Sequence, residues 1–233
     1  MIRRRLGKSV SQALQRLLPV IAAAGIASLG AAALAAPDSS TSEKRWTFDV
    51  YLDDSRIGFH EFRLLEKEGG VRKVEATARF DVKFLFINAF RYRHEIEESW
   101  SGNCLTAVDA STNSNGKKTD VEGELTESGF VIRSGDDRKR LESCVMTFAY
   151  WNPAFLEEER LLNPQTGEFV EVDVEKLDER VVNLGGREIE ATGYAIKARD
   201  LSVRVWYARE DQRWVALESP TRGGRILRYE LST

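Results

Sequence analysis

The sequence has few of the residues on which metal and redox chemistry depend. Its 233 residues include only two cysteines, two histidines and two methionines. A catalytic zinc ion needs about three histidine, cysteine or carboxylate ligands at suitable spacing, and His60 and His94 do not belong to such a pattern. The Walker loop, the nucleophile elbow and the Rossmann glycine pattern are also missing. We therefore expect no metal site and no cofactor, and the sequence favours a non-enzymatic protein while an enzyme stays open.

Acidic residues are missing from the first 35 positions. The basic residues there are Arg3, Arg4, Arg5, Lys8 and Arg16. An apolar run rich in alanine follows at positions 17–36, and a basic head before an apolar run is typical of an export signal. The triplet Ala33-Leu34-Ala35 has the small residues of a cleavage site. We predict that residues 1–35 are a cleaved signal peptide; a retained membrane anchor is the alternative.

Removal of this segment changes the charge of the chain. The full sequence has 34 basic and 37 acidic residues, so the loss of five basic ones leaves 29 against 37, a net charge of −8. An acidic domain lacks the basic surface that nucleic acids require, and anionic membranes repel it. We predict a periplasmic protein with no nucleic acid partner and no stable membrane insertion. Arg4-Arg5-Leu6 leaves twin-arginine export open beside the general route.

The remaining chain predicts one domain. Residues 36–45 are mostly small and polar, which is typical of a flexible leader. No second segment of this kind follows. Residues 46–233 are therefore assigned to a single β-domain, which is long enough to bury a sizeable core.

The hydrophobic period of this domain is two, which indicates strands with one apolar and one polar face. The alternation occurs at positions 46–52, 73–84, 201–207 and 227–231. Half-polar strands are typical of antiparallel sheets. Turn residues separate them at short intervals, and Asn115-Gly116 is the strongest hairpin signal. The sequence predicts a mainly β fold: a single curved antiparallel meander sheet or an incomplete β-barrel.

Positions 143–167 interrupt the alternation. Two Asn-Pro pairs lie there, and the apolar residues at 155–162 have helical spacing. Because the residue before a proline avoids the α region, any helix here is short. We predict a short helical crossover that covers one end or mouth of the curved sheet.

Cys104 and Cys144 are the only thiols of the sequence. In an oxidising compartment such a pair is expected to form a disulfide. The bond would join the hairpin region to the start of the crossover.

The most informative strand lies at positions 90–100. Tyr92, His94, Glu98 and Trp100 share one face, which is apolar except for His94 and Glu98. A buried carboxylate needs a partner, and the histidine would supply one. The pair either orients a ligand head group or moves a proton, or it is a structural hydrogen-bonded pair. Both interpretations stay open.

Aromatic residues are frequent in the crossover as well. Tyr150, Trp151 and Asn152 follow Phe148 there. Aromatic side chains with polar groups line ligand grooves and interfaces. We predict that Tyr150, Trp151 and Asn152 lie at the mouth of a groove that Tyr92, His94, Glu98 and Trp100 line.

These segments resemble an uncharacterised family of exported bacterial proteins, a domain of unknown function. The resemblance is carried by Gly58, the strand of Tyr92, His94, Glu98 and Trp100, Gly102 with Cys104, Asn115-Gly116, the run from Cys144 to Asn152, the segment 161–167 and Tyr229. The strand order is more distantly similar to periplasmic half-barrels that carry lipoproteins or lipids. The first resemblance implies no known activity, and the second concerns architecture alone.

The leading hypothesis is non-enzymatic binding of an apolar or amphipathic ligand, such as a lipid or an acyl chain, in the concave face of the sheet. A structural or interaction protein of the cell envelope, with a protein partner and no ligand cavity, is the first alternative. A hydrolase or isomerase that uses His94 and Glu98 is the second.

Overall fold

A computed structural model of the chain describes residues 41–84, 87–221 and 223–232. The predicted signal peptide and most of the predicted leader lie outside these residues. The strands are β1 (Ser42–Leu52), β2 (Ser55–Glu66), β3 (Val71–Phe84), β4 (Ile87–Ser101), β5 (Cys104–Ser114), β6 (Lys117–Thr126), β7 (Gly129–Ser134), β8 (Asp137–Arg140), β9 (Arg160–Asn163), β10 (Glu168–Glu171), β11 (Asp173–Lys176), β12 (Arg180–Leu184), β13 (Arg187–Ala198), β14 (Leu201–Ala208), β15 (Trp214–Pro220) and β16 (Ile226–Leu231). The helices are 3-10 turns at Glu68–Gly70 and Pro153–Glu157.

Fourteen of the strands form one large antiparallel sheet, as the alternation predicts, and β9 and β10 pair with each other in a separate two-stranded sheet. In the described part of the chain its order is β11-β13-β14-β15-β16-β1-β2-β3-β4-β5-β6-β7-β8, with β12 also paired to β13. Most neighbours are consecutive in sequence, and β1 pairs with β16 to join the two halves. The sheet curves but does not close, because the strands at its two ends, β11 and β8, do not pair with each other.

The core lies on the concave face of this sheet. Phe48 of β1, Val108 of β5 and Val203 of β14 belong to the same hydrophobic cluster although their strands are far apart in the sheet order. The sheet therefore wraps around its core. A smaller cluster with Trp206 and Val215 lies on the other face of β14 and β15.

Residues 141–172, which we call the crossover, pass through the concave face. Leu105 donates a backbone hydrogen bond to Val145, and Leu162 donates one to Met146. Phe155 and Leu162 are fully buried. The helix that the spacing predicts at 155–162 is wrong over its second half. The 3-10 helix ends at Glu157, and residues from Arg160 onwards form β9 because they pair with β10.

The first strand begins earlier than the sequence predicts. Residues 42–45, assigned to the flexible leader, pair with the end of β2. Their charges form cross-strand ion pairs, with Lys44 Nζ 3.0 Å from Glu66 and Arg63 Nη2 3.0 Å from Glu43. The polar composition thus belongs to a solvent-facing strand.

Two local predictions are confirmed. Cys104 and Cys144 form a disulfide. Asn115 and Gly116 have φ angles of 52° and 93°, the positive values that a tight hairpin turn requires. Within the described ranges, none of the helices has the length and apolar character needed to cross a membrane.

Candidate functional site

Strand β4 brings four predicted site residues to the concave face. Tyr92, His94, Glu98 and Trp100 alternate with more exposed residues, as a strand requires. His94 and Glu98 are each 5% exposed and Trp100 is 1% exposed, whereas Tyr92 is half-buried. The accessibility of this row therefore increases towards Tyr92.

Glu98 is held in the core by hydrogen bonds from two side chains. Thr147 Oγ1 of the crossover donates to its Oε1 over 2.9 Å, and Trp100 Nε1 donates to its Oε2 over 3.3 Å. Burial raises the pKa of the Glu98 carboxyl to about 7, although these two hydrogen bonds oppose the shift. The carboxyl group therefore fastens the crossover to β4.

The expectation that His94 partners Glu98 is wrong. The His94 Nδ1 atom lies 2.9 Å from Thr112 Oγ1, on the neighbouring strand β5. Residues four positions apart on a strand share a face, but their backbones are about 13 Å apart, with Ile96 between these two. Each side chain therefore finds its own partner, and burial lowers the pKa of His94 to about 4.

The three crossover residues predicted at the mouth of the groove contact both the sheet and the crossover itself. The ring of Tyr150 packs against Phe155 and Trp214, and its backbone carbonyl accepts a hydrogen bond of 2.8 Å from Tyr207. The exposed fraction of Asn152 is 8%. Tyr150 and Trp151 are half-buried and Asn152 is buried, so the placement of the three residues at the mouth of a groove stays a prediction.

Trp151 covers the end of the concave face next to the turn between β4 and β5. Its ring meets that of Trp100 edge-on at 5.6 Å between centroids, and the guanidinium group of Arg72 lies 4.8 Å from its centroid. Asn152 Nδ2 donates to Asn103 Oδ1 over 3.2 Å. The crossover therefore occupies the part of the concave face that Glu98 and Trp100 line.

His60 of β2 is a site residue that the sequence argument missed. The strand registers place Phe48, His60, Ala78, His94 and Thr112 in one row across the concave face. Both ring nitrogens of His60 are buried without a hydrogen-bond partner in the described residues. Burial, with a smaller effect of His94, lowers the pKa of His60 to about 3. The alternation of β2 was the signal that would have placed it there.

Aromatic rings surround the two histidines. The Phe62 ring lies 4.1 Å from that of His60, and the Tyr229 ring lies 5.8 Å away. The Tyr92 ring lies next to that of His94, with 6.3 Å between the ring centroids, and it stacks on the Phe80 ring with 5.1 Å between centroids. We call His60, Phe80, Tyr92, His94 and Tyr229 the aromatic–histidine face. Within it His60 and Tyr92 are half-buried, and His94 and Tyr229 are buried.

The geometry gives little support to acid–base catalysis. His94 and Glu98 do not contact each other, and both are enclosed by the core. A general base must lie within hydrogen-bond reach of the proton that it removes, either directly or through one water molecule. Among the described residues, no group of three or more His, Cys, Asp or Glu side chains is arranged for a metal ion.

Comparison with known proteins gives a family and a fold. Residues 48–232 match the family model described as "Domain of unknown function (DUF6134)". No curated protein matches the sequence. Among solved structures, the chain is similar to a crystal structure of a β-barrel-like protein of domain of unknown function DUF1849 from Brucella abortus. That similarity has a TM-score of 0.59 at 10% sequence identity, and it covers 81% of this chain and 95% of the other.

Proposed function

The chain belongs to the DUF6134 family of unknown function. We propose that it is an exported, non-enzymatic protein that binds an apolar or amphipathic ligand at the aromatic–histidine face. The ligand class is a lipid or another molecule with an acyl chain. The crossover fills the other part of the concave face. The predicted site is therefore reduced to Tyr92 and His94, and His60, Phe80 and Tyr229 are added to it.

The observation that carries this proposal is the environment of His60. Its two ring nitrogens are buried without a partner, between the rings of Phe62 and Tyr229. A buried polar group without a hydrogen bond costs about 1–3 kcal/mol. A polar atom of a ligand next to His60 would remove this cost, while the surrounding rings would contact the apolar part of the ligand.

Access to this face would pass the half-buried Tyr92. Five surface pockets within the described residues lie elsewhere. A ligand would therefore have to part side chains, of which Tyr92 is the most accessible on β4 within the aromatic–histidine face. Stacked tyrosine and phenylalanine rings can separate without breaking a backbone hydrogen bond, so this movement does not require the sheet to open.

A calorimetric titration with lysophosphatidylcholine tests this proposal. The lipid has a 12-carbon chain and is used below its critical micelle concentration. We expect saturable binding that is at least tenfold weaker in Tyr92→Ala. The matched control is Tyr51→Ala, because Tyr51 is a half-buried tyrosine on the other face of β1. Absence of saturable binding, or an equal loss in the control, would overturn the proposal.

Export is the second part of the proposal. The basic and apolar segments at positions 1–35 support it, and a disulfide is compatible with an oxidising compartment. Mass spectrometry of the protein from a periplasmic extract should give a chain that begins at Ala36. A chain found only in the cytoplasm with an intact amino terminus would contradict export.

An envelope interaction protein without a ligand is the second candidate, and the buried crossover favours it. Phe155 and Leu162 are fully buried, so a partner would contact the exposed residues at 157–160 instead. A photo-crosslinking residue at Glu158 would capture one specific partner if this candidate is right. If no partner is captured and lipid binding depends on Tyr92, the results favour the ligand-binding proposal over the interaction protein.

A further inference from the structure

One of the five surface pockets outside the concave site has both basic and apolar walls. It is formed where β1 begins, where β16 ends, at the turn between β12 and β13, and at the turn before β15. Its volume is about 700 Å³, within the usual range of small-molecule sites. It shares no residue with the aromatic–histidine face.

Four basic side chains line this pocket, and no acidic side chain does. The basic residues are Lys44, Arg45, Arg187 and Arg213. The chain after position 35 has a net charge of −8, so this local excess of positive charge opposes the charge of the domain. A pocket with only basic ionisable residues favours an anion, and guanidinium groups can hold the oxygens of a phosphate or a carboxylate in a fork.

The basic groups keep donors available for such an anion. Arg187 has no carboxylate within ion-pair distance in the described residues. The Nε atom of Arg213 lies 3.7 Å from Asp211, at the outer limit of an ion pair. Arg45 is more engaged, because its Nε donates to Glu43 and its Nη1 lies 3.6 Å from Glu61, which leaves Nη2 for a ligand. Lys44 pairs with Glu66 at 3.0 Å and contributes least.

Apolar side chains form the remaining wall. They are Trp46, Leu184, Ile189 and Leu231. Leu184 is 5% exposed, and Trp46 and Leu231 pack against the main core. This wall is anchored to the fold, so it would present a fixed apolar surface to a ligand.

The turn that carries Arg187 is also fixed. Asn183 Oδ1 accepts a hydrogen bond of 3.0 Å from the backbone N–H of Gly186. Gly186 has a φ angle of 84°, which a residue with a side chain rarely adopts. Arg187 is therefore the first residue of β13 after a defined turn, and it lies opposite Leu184 in the register of β12 and β13.

We propose that this pocket binds a single-chain lipid with an anionic phosphate head group. Arg187, Arg213 and Arg45 would contact the phosphate, and the apolar wall would contact the first part of the acyl chain. This site is independent of the ligand proposed for the concave face. It differs from that site in its selectivity, because it requires a negative charge on the ligand.

Calorimetric titration of the purified protein with three probes tests the site. The probes are lysophosphatidylglycerol and lysophosphatidylcholine of equal chain length, and glycerol 3-phosphate. We expect a lysophosphatidylglycerol site that is at least tenfold tighter than any lysophosphatidylcholine site, and no glycerol 3-phosphate binding at equal concentration. Equal affinity for the two lipids would overturn the role of charge, and binding of glycerol 3-phosphate as tight as that of the lipid would overturn the role of the apolar wall.

Charge reversal locates the site. Arg187→Glu with Arg213→Glu should weaken lysophosphatidylglycerol binding at least tenfold. The control is Lys117→Glu with Lys118→Glu, which changes the charge equally at an exposed hairpin. The probe should also change tryptophan fluorescence, and Trp46→Phe should remove that change. An equal loss in both double variants would contradict the site.

The two proposals fail separately. Tyr92→Ala should leave lysophosphatidylglycerol binding at this pocket unchanged, since Tyr92 does not line it. Loss of that binding in Tyr92→Ala, with no effect of charge reversal at Arg187 and Arg213, would overturn the pocket and assign the lipid to the concave face.

Discussion

Thr147 and Glu98 are 49 positions apart in the chain, and the threonine hydroxyl donates a hydrogen bond of 2.9 Å to the carboxyl group. This contact fastens the crossover to the inside of the sheet. Trp100 donates to the other oxygen. A buried ionisable group at the junction between sheet and crossover makes the attachment sensitive to pH, because an ionised carboxylate is costly in the core.

The first prediction concerns the pH dependence of stability at Glu98. Its pKa is raised from 4.5 to about 7 in the folded state. The folded state therefore binds the proton more tightly than the unfolded state, and this contribution to stability is lost as pH rises from about 4.5 to 7. Glu98→Gln removes this titration. The loss of unfolding free energy that the substitution causes should therefore be smaller at pH 8 than at pH 5, by on the order of 2 kcal/mol.

Urea unfolding at the two pH values measures this difference. Glu97→Gln is the matched control, because Glu97 is the adjacent exposed carboxylate of β4. A penalty for Glu98→Gln that is the same at pH 5 and pH 8 would contradict the raised pKa.

The second prediction concerns acid sensitivity at His60. Burial lowers its pKa from 6.5 to about 3. The unfolded state therefore binds a proton at a higher pH than the folded state, and stability falls as pH decreases below about 6.5. His60→Phe cannot be protonated and leaves no unpaired ring nitrogen. We expect it to reduce the slope of unfolding free energy against pH by about 1.4 kcal/mol per pH unit between pH 6 and 4.5.

The comparison for this slope is His94→Gln. The pKa of His94 is also lowered, to about 4, but the glutamine can still bond to Thr112. Both variants should flatten the acid limb. A slope unchanged by His60→Phe would mean that the ring of His60 is already protonated, or reaches water, in the folded protein.

The third prediction concerns the disulfide. Cys104 and Cys144 are 40 positions apart, and their bond joins the start of β5 to the start of the crossover. Replacement of both by serine should lower the unfolding free energy by about 2–4 kcal/mol, since a closed loop of this length restricts the unfolded chain. Urea unfolding with and without a reductant measures the effect. An equal effect of reductant on the double variant would contradict this origin.

Local alternation was enough to predict the strands and the faces of their side chains. Tyr92, His94, Glu98 and Trp100 share a face because strand geometry repeats every two residues. The partners of these side chains depend on contacts between distant segments. Thr147 meets Glu98 only because the crossover enters the sheet, and no local pattern contains that information.

The wrong predictions have the same origin. Residues 160–162 have helical spacing, but pairing with β10 makes them a strand. Residues 42–45 have the composition of a leader, but pairing with β2 extends the sheet. In both cases pairing with a neighbouring strand determines the local structure. His60 lies on the concave face because of its place in the alternation of β2, a signal that is independent of metal-ligand spacing.

The last prediction concerns the close approach of β2 and β3 at Gly58. A Cβ atom at this position would overlap the backbone carbonyl of Arg79, which cannot move without breaking the register of the two strands. Gly58→Ala should therefore lower the unfolding free energy by roughly 2–4 kcal/mol. Gly223→Ala is the control, because no atom lies within 4 Å of a Cβ there. Equal unfolding midpoints of the two variants in urea would show that the strands at Gly58 can separate without cost.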